Sequence, residues 1–371
     1  MRAACVVMSL ACACGRVGFD ARGVVIDAGA DAAPDAGVPC GAIDAVVSQN
    51  GAIGLAWTGA SYMLLTLDGL AELDSSTGAL GTIKPLVPAE AIEYGGQEGL
   101  AWSGSELALV WLSATGALEL GMTDATATTQ PVTEQLAAGN AIDPHVVWTG
   151  ADFVVAWIDT ANSRVLFAEI TATGQITHNG IIFMDGSPIA SVYDLHCDPS
   201  SCAAAIFHGG AGGGPSLVVE PLPLGQLSAE NALGLPPQGV YVQLVPAASG
   251  GFVTETTAAG GTLQALDAND RESGPVVAIP GYLGQGLAFV TGVATGTGAR
   301  LFAVTNGLPL YAVAIDFTAA TQQFGPPLEL DALSPTSYSV PAIARGPGRV
   351  LFAAPYADGV GNHVLLRQLC M

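Results

Sequence analysis

The stretch GLAWTGASYMLLTL, residues 54–67, sets the pattern for most of the chain. Two apolar runs flank a short polar tip that contains glycine, and this arrangement is typical of a β-hairpin. The same motif returns as GLAWSG at residues 99–104 and as HVVWTG at residues 145–150, each time followed by a second apolar run. The sequence therefore predicts a hairpin that is repeated along the chain.

Four more diverged copies follow, and the seven copies together have a regular period. The residues at the tryptophan position of the seven copies are Trp57, Trp102, Trp148, Cys197, Val245, Phe289 and Arg345. Consecutive positions are 44 to 56 residues apart, close to the period of four-stranded propeller blades, about 40 to 50 residues. We therefore predict an all-β fold, a seven-bladed β-propeller of four-stranded antiparallel blades that spans residues 41–371.

The two ends of this domain are predicted to share the last blade. The seventh copy ends after its third strand, residues 363–369, and residues 43–47 ahead of the first copy have the pattern of a fourth strand. Pairing of these two strands closes the ring and places Cys40 beside Cys370. We expect a disulfide between them, because closing a loop of about 330 residues constrains the unfolded chain by roughly 4 to 5 kcal/mol or more.

A second pair of cysteines, Cys197 and Cys202, flanks a hairpin tip at residues 198–201. A disulfide across this tip is the favoured interpretation in an oxidising compartment. The alternative is a metal site formed by both thiols and His196, although a C-x4-C spacing with one adjacent histidine is a weak pattern for metal binding. We accordingly predict no metal and no cofactor.

The N-terminus combines an arginine, a short apolar run and small residues that end at a cysteine, and residues 1–14 resemble the signal peptides of bacterial lipoproteins. The resemblance implies that Cys14 is acylated, and cleavage there leaves four further cysteines, an even number that can pair fully. Cleavage before Cys12, or an ordinary secretory signal without a lipid, stays open. Residues 15–40, rich in Ala, Asp, Gly and Pro, are expected to be a disordered spacer. We expect the protein in the cell envelope, anchored to the outer membrane, or outside the cell.

The composition narrows the choice of partners. The 371 residues include 10 Lys and Arg against 32 Asp and Glu, which gives a formal net charge of -22. This balance excludes a nucleic-acid partner, because phosphate neutralisation needs basic residues, and it leaves the N-terminal lipid as the expected membrane contact. A strongly negative net charge also favours a monomer. The sequence contains no phosphate-binding P-loop, no Gly-x-Ser-x-Gly elbow and no His-Glu-x-x-His motif.

The position of the loops indicates where a binding site would lie. In a propeller, the loops that lead into the first strand of each blade and those that join its second and third strands share one face, and loops on a rigid scaffold carry function. The candidate binding residues on this face are Tyr94, Asp143, His145, Tyr193, Asp194, His196, His208, Tyr241, Tyr282 and Tyr338. The alternative is that each tyrosine packs between neighbouring blades and bonds a backbone group. A metal or catalytic role for the His and Asp residues is a lesser alternative.

The tryptophan hairpins resemble the repeat-built β-propellers of bacterial envelope lipoproteins. This resemblance covers residues 41–371, and it implies a fold rather than an activity. We expect a non-catalytic binding or scaffold module of the cell envelope whose ligand is a glycan or a protein. One alternative is a secreted carbohydrate-active hydrolase or lyase that uses carboxylates or histidine at the mouth of the propeller. Another is that the blades serve as a durable coat or spacer.

Overall fold

The structure is a computed structural model, and it describes most of the predicted propeller. The described residues are 43–48, 52–66, 68–85, 99–113, 115–126, 132–183, 189–197, 199–208, 215–222, 224, 229–233, 241–247, 250–257, 260–268, 271–333, 337–338 and 341–371. The predicted signal at residues 1–14 and the spacer at residues 15–40, with Cys14 and Cys40, lie outside the described residues. Within the described part, we find no helix that is long and apolar enough to cross a membrane.

The described strands form seven antiparallel sheets arranged in a ring, which confirms the predicted seven-bladed β-propeller. Blade 1 contains β2 (Ala52–Trp57), β3 (Tyr62–Thr66) and β4 (Gly69–Leu73). Blade 2 contains β5 (Gly99–Trp102), β6 (Glu106–Leu112), β7 (Leu118–Asp124) and β8 (Val132–Ala137). Blade 3 contains β9 (Ala141–Trp148), β10 (Phe153–Asp159), β11 (Arg164–Ile170) and β12 (Ile176–Phe183). Blade 4 contains β13 (Ile189–Cys197), β14 (Ser201–His208), β15 (Pro215–Pro221) and β16 (Ala229–Ala232). Blade 5 contains β17 (Tyr241–Pro246), β18 (Gly251–Thr257), β19 (Gly260–Leu266) and β20 (Glu272–Ile279). Blade 6 contains β21 (Leu287–Thr295), β22 (Gly298–Thr305), β23 (Leu310–Thr318), β24 (Gln323–Phe324) and β25 (Leu328–Leu333). Blade 7 contains β26 (Ser337–Tyr338), β27 (Ala342–Gly346), β28 (Arg349–Ala357), β29 (Asn362–Cys370) and β1 (Asp44–Ser48).

The first long strands of the blades form the inner ring of the propeller. Each contacts the next, from β2 through β5, β9, β13, β17 and β21 to β27, which returns to β2. Two glycines of the repeated motif allow this close approach. A Cβ atom on Gly54 would lie 2.9 Å from the Cβ of Leu100, and one on Gly99 would lie 3.0 Å from the backbone nitrogen of Val146. The motif therefore carries glycine where neighbouring blades meet.

The ring is closed by the two ends of the domain, as predicted. Strand β1 pairs antiparallel with β29, from Asp44 opposite Arg367 to Ser48 opposite His363. The strand that precedes the first blade therefore completes the last blade. This pairing ties the start of the described domain to its end.

The described cysteines support the expected bonding in part. Cys197 and Cys202 form a disulfide that joins β13 to β14, with their Cα atoms 4.0 Å apart, which confirms that prediction. Cys370 is also disulfide-bonded. Since Cys197 and Cys202 bond to each other, the partner of Cys370 lies outside the described residues. The pairing of Cys40 with Cys370 stays a prediction.

Arginine side chains also join the closing blade to both of its neighbours. Arg300 of blade 6 donates a hydrogen bond to the Cys370 carbonyl at 2.8 Å. Arg349 of blade 7 donates to the Ser75 carbonyl of blade 1 at 3.3 Å, and Arg367 of blade 7 bonds to strand β25 of blade 6. The chain has only ten basic residues, so three of them at these two junctions indicate a structural role in ring closure.

The Trp-Thr/Ser-Gly motif builds the tip that joins the first and second strands of a blade. In blade 3, Trp148 packs against Phe153 with ring centroids 4.7 Å apart. The Thr149 hydroxyl donates to the Asp152 carbonyl at 3.0 Å and accepts from the Asp152 N–H at 3.1 Å. Gly150 has a φ of 101°, a conformation that favours glycine. Each residue of the motif therefore has a separate part in the turn.

Two details of the repeat differ from the prediction. In blade 6 the residue at the tryptophan position is Ala294, which lies opposite Ala299, and not Phe289, which lies opposite Val304. The assignment to Phe289 was wrong because an aromatic residue was expected at that position. In blade 1 the described residues form three strands, and two isolated bridges, at Leu80 and Lys84, lie along the edge where a fourth strand was expected.

Candidate functional site

We call the side of the propeller that carries the predicted binding loops the upper face. The loops that lead into first strands and those that join second and third strands meet there. In blade 3 the Thr160 N–H donates to the Asn140 carbonyl at 2.9 Å, and in blade 6 the Asn306 N–H donates to the Gly286 carbonyl at 3.0 Å. The lower face carries the tips built by the tryptophan motif. Hydrogen bonds between loops therefore give the upper face a defined shape.

Four of the ten predicted binding residues have no described side chain. Tyr94 lies outside the described residues. The backbones of Tyr193, His208 and Tyr338 belong to β13, β14 and β26, and their side chains are outside the described part of the structure. Their assignment to a binding face stays a prediction.

Three other predicted residues are buried and contribute to packing. His145 and Asp194 have no exposed surface, and Tyr241 is only 1% exposed. The Asp194 carboxylate accepts a hydrogen bond from the Leu244 N–H of blade 5 at 2.8 Å. The Tyr241 ring meets the edge of Phe289 of blade 6 at a centroid distance of 5.2 Å. The expectation that these side chains lie exposed on the upper face is corrected, because all three are buried, and Asp194 and Tyr241 contact the neighbouring blade.

Asp143 and His196 are half-buried, and they lie at different ends of their strands. Asp143 lies at a bulge in β9 and has a φ of 49°. His196 lies opposite Ala203, one pair before the disulfide at the lower tip of blade 4. The expected position of His196 on the upper face is therefore corrected to the lower end of the strand, so it does not converge with Asp143.

Tyr282 is the predicted residue that the structure places in a partly exposed loop of the upper face. Its hydroxyl donates a hydrogen bond to the Glu329 carboxylate at 2.6 Å. This bond to a negatively charged group raises the pKa of Tyr282, so the hydroxyl stays protonated. The Tyr282 ring meets Tyr311 edge to face at a centroid distance of 5.2 Å. A polar and aromatic surface is therefore present on blade 6.

Two leucines that the sequence analysis missed complete this surface. Leu283 is 67% exposed in the loop before β21, and Leu308 is 76% exposed in the loop between β22 and β23. The signal that could have found them is an apolar residue beside glycine within a predicted loop. We define the blade 6 patch as Tyr282, Leu283, Leu308, Tyr311 and Glu329.

Hydrogen bonds hold the two loops of the blade 6 patch together. Besides the bond from Asn306 to Gly286, the Gln285 side-chain amide donates to the Pro309 carbonyl at 3.1 Å. Tyr282 and Gln285 exchange backbone hydrogen bonds of 2.9 and 3.1 Å within a tight turn. Both tyrosines of the patch also pack against the hydrophobic core of blade 6. Both the hydrogen bonds between the loops and the packing on the core therefore hold the patch in place.

Blade 7 extends the upper face beside this patch. Val360, at the tip between β28 and β29, is 91% exposed. Asp358 accepts hydrogen bonds from the Val360 and Gly361 N–H groups at 2.7 and 3.0 Å, and His363 lies 3.2 Å from the same oxygen. The two backbone bonds lower the pKa of Asp358 below its ordinary value. The tip therefore presents an apolar side chain beside an ionised carboxylate.

Elsewhere in the described chain, fewer polar groups are available to bind a ligand. A cleft of about 210 Å³ at the outer edges of blades 2 and 3 is lined mainly by apolar side chains, among them Leu136, Trp157 and Ile176, with Asn179 as a polar neighbour. Among the described residues, no group of three or more His, Cys, Asp and Glu side chains has the arrangement needed to hold a metal ion.

Comparison with known proteins supports the fold and leaves the activity open. No protein-family model and no curated protein matches the chain. The structure of U3-55K matches with a TM-score of 0.58 and 11% identity, covering 88% of this chain and 98% of that one. A chain of the mitotic checkpoint complex matches with a TM-score of 0.55 and 9% identity, covering 88% and 94%. The β-propeller domain of the Trilobed protease from Pyrococcus furiosus matches with a TM-score of 0.51 and 8% identity, covering 87% and 95%.

Identities this low show a shared fold alone. The Pyrococcus furiosus domain is described as having an open velcro topology. In this chain β1 pairs with β29, so its ring is closed by main-chain hydrogen bonds. The similarity is therefore one of propeller architecture and does not include how the ring is closed.

Proposed function

We propose that the chain is a non-catalytic binding or scaffold module of the cell envelope, and that its upper face binds a partner protein. The observation that carries this proposal is the blade 6 patch, where Leu283 and Leu308 expose most of their surface on loops fixed by hydrogen bonds. Apolar side chains that are exposed on neighbouring loops of one face commonly mark interaction sites. A propeller of similar shape is part of the mitotic checkpoint complex, which is consistent with a scaffold role.

The rest of the architecture suits a binding platform. The inner strands are enclosed by neighbouring blades, and the five tryptophans of the chain are buried. Loops on such a scaffold can present side chains in one arrangement, which lowers the entropy that is lost when a ligand binds. Binding through preformed loops does not require a catalytic group.

The proposed location follows from the N-terminal sequence. A lipid on Cys14 would hold the protein at the membrane, with residues 15–40 as a flexible connection. A flexible segment of that length has an average end-to-end distance of roughly 30 Å. The propeller would then reach partners close to the membrane surface, whether the protein is anchored to the outer membrane or exposed outside the cell.

A glycan is the second candidate ligand, and one observation favours it. Tyr282 and Tyr311 place two aromatic rings beside the carboxylate of Glu329 and the amide of Gln285. Aromatic rings with a few polar groups can bind a sugar through its apolar face and its hydroxyls. The two exposed leucines of the patch favour a protein over a glycan.

The proposal is tested by binding of the full-length, acylated chain to a glycan array and to detergent extracts of the cell envelope. We expect saturable binding of one or a few proteins, and mass spectrometry should show each bound ligand unchanged after prolonged incubation. Cleavage of the ligand would instead support the carbohydrate-active hydrolase or lyase. Failure to bind any envelope protein or glycan would contradict the proposed function.

A further inference from the structure

We propose that the blade 6 patch, extended by Val360 of blade 7, is the docking site for a protein segment with an aliphatic or aromatic side chain flanked by lysine or arginine. The inference rests on the proposed binding function and names the site and the chemistry of the partner. It is argued from the exposure of the patch, its rigidity and its charge.

The most exposed large apolar side chains lie on the upper face of blades 6 and 7. Seven large hydrophobic residues are exposed among those that the structure describes, and Leu283, Leu308 and Val360 have the three highest values, 67%, 76% and 91%. All three belong to loops on the upper face of two adjacent blades. The other four lie within strands, on β1, β12, β20 and β25. Contact with a partner would remove this apolar surface from water, which is the main source of affinity in such interfaces.

The patch is already in a binding-competent arrangement. The loop that contains Leu283 and the loop that contains Leu308 are joined by the Asn306 to Gly286 and Gln285 to Pro309 hydrogen bonds. The tyrosines between them are fixed by their mutual ring contact. A partner segment would therefore order few groups on this protein when it binds, and most of its binding free energy would appear as affinity.

The charged residues of the upper face indicate which residues should flank the apolar side chain of the partner. Glu329 is exposed within the patch, and Asp358 carries a lowered pKa beside Val360. Arg367 of blade 7 is paired with Asp331. The other described arginines of blades 6 and 7 lie next to the lower tips, namely Arg300, Arg345 and Arg349. The upper face of these blades is therefore negative, which favours lysine or arginine on the partner and accelerates its association.

A library of random 12-residue peptides displayed on phage provides the test, with the immobilised full-length chain as the target. We expect enriched peptides to combine a leucine, isoleucine or phenylalanine with two or more lysine or arginine residues. Their affinities would then be measured by fluorescence anisotropy with synthetic peptides. Raising the salt concentration should weaken binding, since exposed charges are screened.

Three variants assign the binding to the patch. The double variant Leu283→Ser with Leu308→Ser should lower the affinity by about tenfold or more, because two apolar contacts are lost. Glu329→Gln should lower it by roughly threefold and reduce the salt dependence. Leu328→Ser is the matched control, since Leu328 is 57% exposed on the outer strand β25 of the same blade, and its affinity should match that of the wild type. Because the substituted side chains are exposed, thermal unfolding of all variants should stay close to wild type.

Several results would overturn the inference. Enriched peptides that are acidic or uncharged, or that bind the double variant as tightly as the wild type, would place the site or its chemistry elsewhere. Absence of enriched peptides, combined with glycan binding that the double variant loses, would assign the patch to a glycan. In each of these cases, binding of an unchanged envelope ligand by the full-length chain would still support the proposed function, so the two failures are distinguishable.

Discussion

The substitution Glu255→Gln should stabilise this protein at alkaline pH and change little at acidic pH. Glu255 lies on β18, opposite Val242 of β17 and Thr262 of β19. Its side chain has no exposed surface. Burial raises the pKa of Glu255 from an ordinary value of 4.5 to about 7, and the nearby Thr262 hydroxyl offsets this only in part. The folded protein therefore favours the neutral acid.

The size and sign of the effect follow from this difference in pKa. The unfolded chain releases the proton near pH 4.5, whereas the folded chain holds it until about pH 7. Stability from the neutral acid is therefore fully present below pH 4.5 and is lost as the pH rises through 7. The total loss is about 3 kcal/mol. Glutamine is neutral at every pH and similar in shape, so the variant should avoid this loss.

The assay is urea unfolding followed by tryptophan fluorescence at intervals from pH 4.5 to 8.5. We expect the variant and the wild type to agree near pH 4.5, and the variant to be more stable by about 2 to 3 kcal/mol at pH 8. Glu134→Gln, which removes an exposed carboxylate, serves as the control for the change in net charge. A difference between Glu255→Gln and wild type that does not depend on pH would refute the reasoning.

Three further predictions concern the blade junctions and the N-terminus. Asp194→Ala removes the acceptor of the Leu244 N–H and should cost about 1 to 3 kcal/mol in urea unfolding; an unchanged midpoint would show that the bond contributes nothing. Gly99→Ala places a Cβ atom 3.0 Å from the neighbouring strand and should cost about 1 to 3 kcal/mol, whereas Gly359→Ala, with open space around it, should be nearly neutral in the same thermal melt. Cys14→Ala should move the protein from the membrane fraction to the soluble fraction, and unchanged fractionation would contradict the proposed lipid anchor.

The fold could be predicted because its local signals are strong and repeated. Trp148 and Thr149 make contacts within the turn, and Gly150 supplies its positive φ, so the motif is visible wherever these features are kept. Blade 6 was harder, because Ala294 occupies the tryptophan position and no side chain marks the turn. Strand β1 could be assigned because the seventh copy lacked a fourth strand.

The candidate site could be predicted only in part, because topology locates a face without giving the depth of each residue. Tyr241 begins the inner strand β17 and Tyr282 lies just ahead of the inner strand β21. Nevertheless, Tyr241 is enclosed by the next blade, whereas Tyr282 lies in a partly exposed loop. That difference depends on how neighbouring blades pack. Leu283 and Leu308 were missed because leucine usually indicates a core position, and their exposure comes from loops that only the folded chain brings together.

A ligand bound through the upper face should come within reach of a cross-linking group placed there. The most direct test places a photo-reactive benzophenone amino acid at position 308 on the upper face or at position 297 on the lower tip of the same blade, both of which are exposed. Irradiation of intact cells that display the full-length protein, followed by mass spectrometry, would compare the cross-linked products. We expect a specific protein adduct from position 308 and none from position 297. Equal cross-linking from both positions, or adducts from position 297 alone, would contradict it.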